Sequence, residues 1–162
     1  MKILVCDRTK VSRMTSKHGV THVLSLLDPR KRPFLHPTTN PYTNWLLLHF
    51  EDNLTAEEHN SPQRWHVERF LDWGKKLPDD AVLLVHCEAG VSRSTAAALA
   101  LLVQFHGVDK IDECVQLLLD VRPFACPNCL ISQMADDILG CGGKLFAASE
   151  QIVEKWLIRK TA

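Results

Sequence analysis

The sequence predicts an α/β protein: a small, parallel-rich central sheet flanked by helices, with a C-terminal helical bundle. Strand-like apolar runs alternate with helix-like segments through the first half of the 162-residue chain, and the second half contains helix patterns alone. The run AVLLVH (residues 81–86) is apolar throughout, as expected of a strand in the buried middle of a parallel sheet. We find no internal repeat and no linker, so residues 1–162 are predicted to form one domain.

The first half of the chain contains four strand patterns and two helix patterns. Short apolar runs predict strands over residues 2–6, 20–28, 45–50 and 81–86. A short helix is predicted over residues 9–19, where Gly19 closes it. A longer helix is predicted over residues 61–77, with Ser61 as its N-cap and Pro62 in its first turn. Its apolar face consists of Val67, Phe70, Leu71, Gly74 and Leu77.

Four helices are predicted after the fourth strand. Residues 94–106 are apolar almost all round, so this helix is expected to be central and buried, with Gly107 as its C-cap. Asp109 is predicted to cap the next helix. The apolar stripe of that helix consists of Ile111, Val115, Leu118 and Leu119.

Pro127 is predicted to open the third of these helices. Its inward side is expected to carry Ile131, Met134, Ala135 and Ile138. The same pattern places Asp136 and Asp137 on the outer face. A last helix is expected to be held by Phe146, Val153, Trp156 and Leu157.

The overall composition is that of an ordinary globular protein. Hydrophobic residues make up 46% of the chain, charged residues 23%, and the formal net charge is zero. Balanced charge argues against nucleic-acid binding, which usually needs a basic excess. The longest nearly apolar run, residues 95–103, is too short to span a membrane, and MKILVCDR lacks a signal-peptide core. We therefore expect a cytoplasmic protein with reduced cysteines and no membrane or nucleic-acid partner.

A polar stretch, HCEAGVSRS (residues 86–94), joins the fourth strand to the buried helix. The small residues Ala89 and Gly90 let backbone amides turn inward, and N–H groups at a helix N-terminus form an anion site. Such a site favours the thiolate form of Cys87. The planar guanidinium of Arg93, six residues later, can hold two phosphate oxygens. Together, these groups predict nucleophilic attack on a phosphoryl group.

This stretch resembles the signature of cysteine-dependent protein tyrosine phosphatases, especially the dual-specificity branch. The resemblance covers the H-C-x5-R core and the serine after the arginine. The order of elements, sheet first and helices after, is similar to that family over most of the chain. The run RPFACPNCLISQMADDILG (residues 122–140) also resembles a segment of bacterial tyrosine-phosphatase-like proteins of this size. The resemblance implies a tyrosine-phosphatase-like fold.

The resemblance also implies a role for each residue of the signature. Cys87 would be the nucleophile that forms a phosphocysteine intermediate, and Arg93 would bind the phosphate and stabilise the transition state. His86 would brace the loop and favour the thiolate, and Ser94 would hydrogen-bond the sulfur and ease its departure. Backbone amides would hold the phosphate oxygens, those of Glu88, Ala89, Gly90, Val91, Ser92 and Arg93. No metal ion or other cofactor would be required.

Such a mechanism needs a proton donor for the leaving oxygen and a base for the hydrolytic water. In the family that the signature resembles, this group is an aspartate on a separate loop after an earlier strand. Asp52 follows the third strand and lies 35 residues (87 − 52) before the cysteine, a spacing similar to that of small family members. We predict that Asp52 is the acid, with Glu51 as the main alternative and Glu57 and Glu58 as further ones.

The remaining cysteines give weaker signals. The CPNC motif, Cys126 to Cys129, is compatible with a redox pair or half a zinc site. It lies between two helix patterns, and a zinc site needs about four ligands, for which Cys141 and a stray histidine are the other candidates. We therefore predict that its placement is incidental. Cys6 and Cys114 are predicted to be small buried hydrophobic residues.

The leading hypothesis is a phosphomonoester hydrolase that acts on a phosphorylated protein or peptide. One alternative is a rhodanese-like sulfurtransferase, which also uses a loop cysteine on an α/β scaffold. The histidine before the cysteine, the arginine spacing and the placed aspartate argue against it. The other alternative is a phosphate-binding module of the same fold with little turnover. The oligomeric state stays open.

The sequence says less about the substrate. Glu88 and Val91 add no cation to the loop, which makes a highly charged inositol phospholipid less suitable. Tyr42 and Trp45, at the end of the long loop over residues 29–44, could stack on a phenyl ring, but packing explains them equally well. The tryptophans in general are predicted to serve packing. Specificity for phosphotyrosine alone and dual specificity both stay open.

Overall fold

The computed structural model describes residues 1–30 and 44–161 and contains a four-stranded sheet with helices on both of its faces. The strands lie in the order β1-β4-β2-β3, and every neighbouring pair is parallel. Parallel neighbours require crossover connections, which explains why helices alternate with strands in this half of the chain. The strands are β1 (Lys2–Asp7), β2 (His22–Leu27), β3 (Asn44–His49) and β4 (Val82–Cys87).

Six α-helices accompany the sheet in the described residues, together with two short 3₁₀ turns at Arg8–Lys10 and Val108–Lys110. None of the helices in these ranges combines the length and the apolarity needed to cross a bilayer. The helices are α1 (Val11–His18), α2 (Arg64–Gly74), α3 (Arg93–His106), α4 (Ile111–Val121), α5 (Cys129–Leu139) and α6 (Lys144–Thr161).

The central strand β4 separates two apolar layers. Its side chains alternate between the faces of the sheet, so Leu83 and Val85 join the large core that contains α3, whereas Leu84 joins a smaller cluster beside α1. Every residue of α3 from Arg93 to Val103 is buried. The predicted fold class and the predicted central helix are therefore confirmed.

The start of α2 differs from the prediction. The helix begins at Arg64, and Gln63, not Ser61, is its N-cap. The backbone N–H of Gln63 donates to His66 Nδ1 at 3.0 Å, while the Gln63 side chain accepts from the N–H of His66, so His66 takes the place that Glu or Gln has in most capping boxes. Ser61 is instead buried in the preceding turn and accepts a hydrogen bond from Asn53 Nδ2 at 3.1 Å.

The His66 contact makes the stability of the fold depend on pH. Burial lowers the pKa of His66 to about 4, as it does for His86, and an Nδ1 that accepts a hydrogen bond must be unprotonated. The unfolded chain therefore binds more protons than the native chain between about pH 6.5 and 4, so the free energy of unfolding should fall as the pH falls through this window.

His66→Asn keeps an acceptor near the position of Nδ1 but does not titrate. We expect it to flatten the pH dependence by up to about 1.4 kcal/mol per pH unit, the contribution of one proton. Urea unfolding at pH 7, 6, 5 and 4 measures this slope for both proteins. Equal slopes would show that His66 is not a source of the acid sensitivity.

Two other helix starts also move relative to the prediction. Residues 108–110 form a 3₁₀ turn, so α4 begins at Ile111 and Asp109 does not cap it. Asn128, rather than Pro127, precedes α5, and its Oδ1 accepts the N–H of Ile131 at 3.0 Å. Asn at this position is a stronger capping signal than the proline beside it.

Asp136 was predicted to face outward, and this is wrong: the residue is only 4% exposed. Its carboxylate accepts the N–H groups of Gly143 at 2.7 Å, Leu145 at 2.7 Å and Phe146 at 3.1 Å. These amides lie at the start of α6, where N–H groups have no partner within the helix. Asp136 therefore caps the following helix, a role that the periodicity of its own helix does not reveal.

The buried side of α6 also differs from the predicted one. Leu157 is 51% exposed, so it does not hold the helix. Ser149 lies at the centre of the buried side and donates to Ser132 Oγ on α5 at 2.8 Å. Because this residue is polar, apolar periodicity alone does not identify the buried side of α6. The buried residues of α6 are Leu145, Ser149 and Ile152.

Candidate active site

The carboxyl ends of three parallel strands meet at one edge of the sheet. Cys87 ends β4, Asp28 follows β2, and Phe50 follows β3. Helix α3 begins at Arg93, so residues 87–93 form a loop between the central strand and the N-terminus of the central helix. This is the edge at which parallel α/β sheets bind ligands, and a helix N-terminus there favours an anion.

The carbonyl groups of the 87–93 loop accept hydrogen bonds from donors outside the loop. Because C=O and N–H point in opposite directions across a trans peptide, each outward carbonyl turns the next N–H toward the loop interior. The amides of residues 89–93 therefore form an inward-facing cradle. The outside donors are Arg8 N to Glu88 O (3.1 Å), Arg122 Nη2 to Ala89 O (2.9 Å), Arg122 Nε to Gly90 O (2.7 Å), Cys126 N to Val91 O (2.9 Å) and Asn128 N to Ser92 O (3.3 Å).

The sulfur of Cys87 lies inside this cradle. It accepts the N–H of Gly90 at 3.2 Å, and Ser94 Oγ lies 3.2 Å away. Both contacts come from the N-terminal side of α3, where the helix dipole favours negative charge. The residue is 2% exposed, so access to the sulfur is confined to the mouth of the pocket.

Gly90 is required by two features of the loop. Its φ is +67°, and a Cβ there would lie 2.4 Å from the carbonyl carbon and oxygen of Cys6 and 2.6 Å from the nitrogen of Asp7. These are backbone atoms of β1, which cannot move aside as a flexible side chain would. The loop can therefore pass over the end of β1 only with glycine at this position.

Gly90→Ala should destabilise the fold by about 3 kcal/mol or more and abolish phosphate binding, because the loop must leave β1. Gly19→Ala is the matched control, since Gly19 has a φ of +62° but no atom within 4 Å of the added Cβ. The control should cost only about 1 kcal/mol from backbone strain. Urea unfolding and phosphate titration measure the difference; equal losses of stability would refute the steric argument.

Arg93 lies at the floor of the site and is 3% exposed. Its Nη1 donates to Asp28 Oδ1 at 2.7 Å and to the carbonyl of Phe50 at 2.6 Å. Within the described residues, Arg93 Nε makes no hydrogen bond. The two contacts to Nη1 fix the plane of the guanidinium and leave the Nε edge for a ligand, which suits two oxygens of a phosphate.

His86 lies behind the loop, on the other side of β4 from Cys87, and is buried. Its Nε2 lies 2.6 Å from Ser25 Oγ, which also accepts the N–H of Trp45 at 2.9 Å. Because Trp45 donates to Ser25, the Ser25 hydroxyl can donate to His86, which favours a neutral ring with its proton on Nδ1. Burial lowers the pKa of His86 to about 4, in agreement with a neutral ring.

Asp52 lies at the mouth of the site. Its Oδ1 accepts hydrogen bonds from Ser92 Oγ at 2.8 Å and from Asn128 Nδ2 at 2.8 Å. Asn128 Nδ2 also donates to the carbonyl of Asn53 at 3.0 Å, so one buried amide holds two neighbouring residues of the loop after β3. Asp52 is thereby fixed beside the 87–93 loop although it belongs to a separate segment.

The alternative acids lie elsewhere. Glu51 is paired with Arg30 at 3.3 Å, and Glu58 accepts a hydrogen bond from Thr55 at 2.6 Å. Glu57 is exposed. None of the three is among the described residues that line the pocket over Cys87.

The pocket over the sulfur has a volume of about 350 Å³. Cys126 is part of its lining, whereas Cys129 begins α5, so the two cysteines of the CPNC motif have different surroundings. Trp45 packs in the small cluster beside α1, and Tyr42 lies outside the described residues. The described lining residues are Asp52, Cys87, Glu88, Ala89, Val91, Ser92, Arg93, Cys126 and Trp156.

Burial raises the thiol pKa of each of the other cysteines, Cys6, Cys114, Cys126, Cys129 and Cys141. Cys6 and Cys114 are buried as predicted, and burial raises the pKa of the Cys6 thiol to about 12. Within residues 1–30 and 44–161, no three His, Cys, Asp or Glu side chains are grouped so that they could hold a metal ion.

Sequence reasoning missed three residues that shape the site. Asp28 orients Arg93, Asn128 orients Asp52, and Arg122 holds two carbonyls of the 87–93 loop. The partners are 65, 76 and at least 32 positions apart in the chain. Only the PN pair before α5 carried a local signal, because Asn is a preferred N-cap.

Comparison with known proteins places the chain in a family. Residues 3–136 match the family model described as the dual specificity phosphatase catalytic domain. A probable dual specificity protein phosphatase of Dictyostelium discoideum is 31% identical over 113 residues, which cover 69% of this chain and 47% of that protein. The chain therefore belongs to the dual specificity phosphatase catalytic-domain family, and it spans less than half the length of that relative.

The chain is also similar in sequence to an interacting protein and in fold to two solved structures. The human serine/threonine/tyrosine-interacting protein is 27% identical over 97 residues, 57% of this chain and 40% of that protein. The crystal structure of the human tyrosine phosphatase-like serine/threonine/tyrosine-interacting protein superimposes with a TM-score of 0.64 at 19% identity, over 84% of this chain and 89% of that one. The PTP-2 phosphatase of Cydia pomonella gives 0.64 at 19% identity, over 85% of each chain.

Proposed function

We propose that this chain is a phosphoprotein phosphatase that hydrolyses phosphomonoesters through a phosphocysteine on Cys87. The observation that carries the proposal is the arrangement of three groups around one pocket: the Cys87 sulfur in the amide cradle, the free edge of Arg93, and Asp52 at the mouth. Family membership supports the same reaction class.

In the first step, the Cys87 thiolate attacks phosphorus and an S–P bond forms while the bond to the leaving oxygen breaks. The inward amides and the Nε edge of Arg93 stabilise the charge on the equatorial oxygens. The leaving oxygen takes a proton from the Asp52 carboxylic acid. Because Oδ1 already accepts two hydrogen bonds, the proton resides on Oδ2.

In the second step, water attacks the phosphocysteine. The Asp52 carboxylate takes a proton from the water, the new P–O bond forms, and the S–P bond breaks to release inorganic phosphate. Ser94 Oγ, 3.2 Å from the sulfur, donates a hydrogen bond to the departing thiolate. The enzyme then returns to its starting protonation state.

A phosphate-binding module is the second candidate, because one relative carries the name of an interacting protein. The presence of all three reactive groups favours turnover over binding alone. A sulfurtransferase explains neither the position of Arg93 nor that of Asp52.

The experiment that tests the proposal is capture of the covalent intermediate. The full chain is mixed with an aryl phosphate in the presence of a chelator, quenched in acid and digested, and the peptide that contains Cys87 is analysed by mass spectrometry. We expect turnover with chelator present, inhibition by vanadate and a phosphoryl group on Cys87. Phosphate binding without turnover or label would support the binding module instead.

A further inference from the structure

One aromatic side chain lines the pocket over Cys87, and it comes from the last helix. Trp156 is the only aromatic residue among the described lining residues. It lies beyond the segment that matches the family model, which ends at residue 136. This wall of the pocket is therefore supplied by a part of the chain outside the matched catalytic domain.

The position of Trp156 follows from the way α6 is docked. Trp156 lies four residues after Ile152 and seven after Ser149, so it extends the buried stripe of the helix toward the pocket. Asp136 fixes the start of the helix through three N–H groups, and Ser149 bonds to Ser132 in its middle. Near its end, Arg159 Nη1 donates to the carbonyl of Pro123 at 3.2 Å.

A cation also restrains the indole. Lys160 Nζ lies 4.1 Å from the centroid of the Trp156 ring, one turn farther along α6. This is within the range of a cation–π contact. The position of the ring is thus set by the docking of α6 and by the contact with the Lys160 ammonium group.

We propose that Trp156 is a specificity-determining residue that makes the site prefer phosphotyrosyl over phosphoseryl groups. The inference rests on the proposed function, because it assumes that a phosphate binds against Cys87 and Arg93. With the phosphate there, the phenyl ring of a phosphotyrosine occupies the space toward Trp156, and aromatic rings attract each other beyond simple burial. Phosphoserine places only one methylene group between the ester oxygen and its backbone and offers no ring to this wall.

Binding to a trapped enzyme tests the inference without requiring turnover. Two peptides of one sequence, with phosphotyrosine or phosphoserine at the same position, are titrated into the full chain carrying Cys87→Ser. We expect the phosphotyrosyl peptide to bind more tightly, by about tenfold at the upper end of measured aromatic pairs. Adding Trp156→Ala should reduce that ratio to about twofold or less by weakening the phosphotyrosyl peptide alone.

Two further variants distinguish loss of the aromatic ring at position 156 from a general effect of substitution in α6. Trp156→Phe keeps an aromatic ring and should retain most of the preference. Leu157→Ala alters the next residue of α6, which is half exposed and not part of the lining, and should leave the ratio unchanged. Inorganic phosphate should bind all four proteins equally.

The inference is overturned if the parent shows no preference, if Trp156→Ala leaves the ratio unchanged, or if it weakens both peptides equally. The proposed function is tested separately by the turnover of the wild-type chain. If the wild-type chain does not turn over but binding of phosphotyrosine still depends on Trp156, the proposed function is refuted and the specificity inference stands. If turnover depends on Cys87 but Trp156→Ala leaves the ratio of peptide affinities unchanged, the specificity inference is refuted and the proposed function stands.

Discussion

Replacing Cys87 by serine should lower the turnover of any phosphomonoester by about 10⁴-fold or more, as expected when a covalent nucleophile is lost. A serine hydroxyl needs a base to become a nucleophile, and within the described residues no base is hydrogen-bonded to the sulfur that it would replace. Gly90 N–H and Ser94 are hydrogen-bond partners of the sulfur, and His86 is directed to Ser25 on the other side of the sheet. Hydrolysis of an aryl phosphate under chelation measures the loss.

The same variant should keep its fold and its affinity for phosphate, because the amide cradle and Arg93 do not depend on the sulfur. Cys126→Ser is the matched control, since Cys126 is the other thiol that lines the pocket. It should change turnover by no more than about twofold, the scale of a surface substitution without a role in the chemistry. Residual turnover within tenfold of wild type in Cys87→Ser would mean that the nucleophile lies elsewhere.

The fold could be predicted largely because its signals are local. The run at 81–86 is almost wholly apolar and residues 94–106 are apolar almost all round, which favours a buried strand and a buried helix. Two of the errors, at Asp136 and along α6 at Ser149, arose where a polar residue is buried against a partner in another segment. Asp136 looks like a surface residue of α5, yet its carboxylate is needed by amides that begin the next helix.

The same distinction between local signals and distant partners applies to the residues of the site. Cys87 and Arg93 could be predicted as site residues because the strand, loop and helix that place them are adjacent in sequence. The partners that orient the reactive groups were not found, since Asp28 and Asn128 approach from other segments after the chain has folded. The tryptophans show what sequence patterns leave out: packing was the general prediction, stacking on a substrate ring was left open for Trp45 alone, and it is Trp156 that lines the pocket.

Replacing Asp52 by asparagine should reduce kcat by about 10²-fold or more for a phenyl or alkyl leaving group, the usual contribution of general acid catalysis. The loss should be much smaller for a nitrophenyl ester, because its leaving oxygen needs little help from a proton. The ionisation of the acid should also disappear from the pH–rate profile. A series of aryl phosphates with phenols of increasing pKa, each assayed across a range of pH, measures all three effects.

The hydrogen bonds of Asp52 indicate that Asp52→Asn removes the acid without displacing the loop. Oδ1 is the acceptor for Ser92 and Asn128, and within the described residues Oδ2 makes no hydrogen bond. An asparagine can keep its carbonyl oxygen at the Oδ1 position and place its NH₂ at the Oδ2 position, so the loop should stay in place. A general loss of folding would therefore not explain a loss that grows with the pKa of the leaving group.

Glu51→Gln is the matched control, because Glu51 is the neighbouring carboxylate and is paired with Arg30 away from the pocket. It should leave both the rate and its dependence on the leaving group within about twofold of wild type, since an exposed ion pair contributes little. If Glu51→Gln removed the ionisation and Asp52→Asn did not, the acid would be Glu51. The hydrogen bonds to Ser92 and Asn128 would then serve only to hold the loop after β3 against the 87–93 loop.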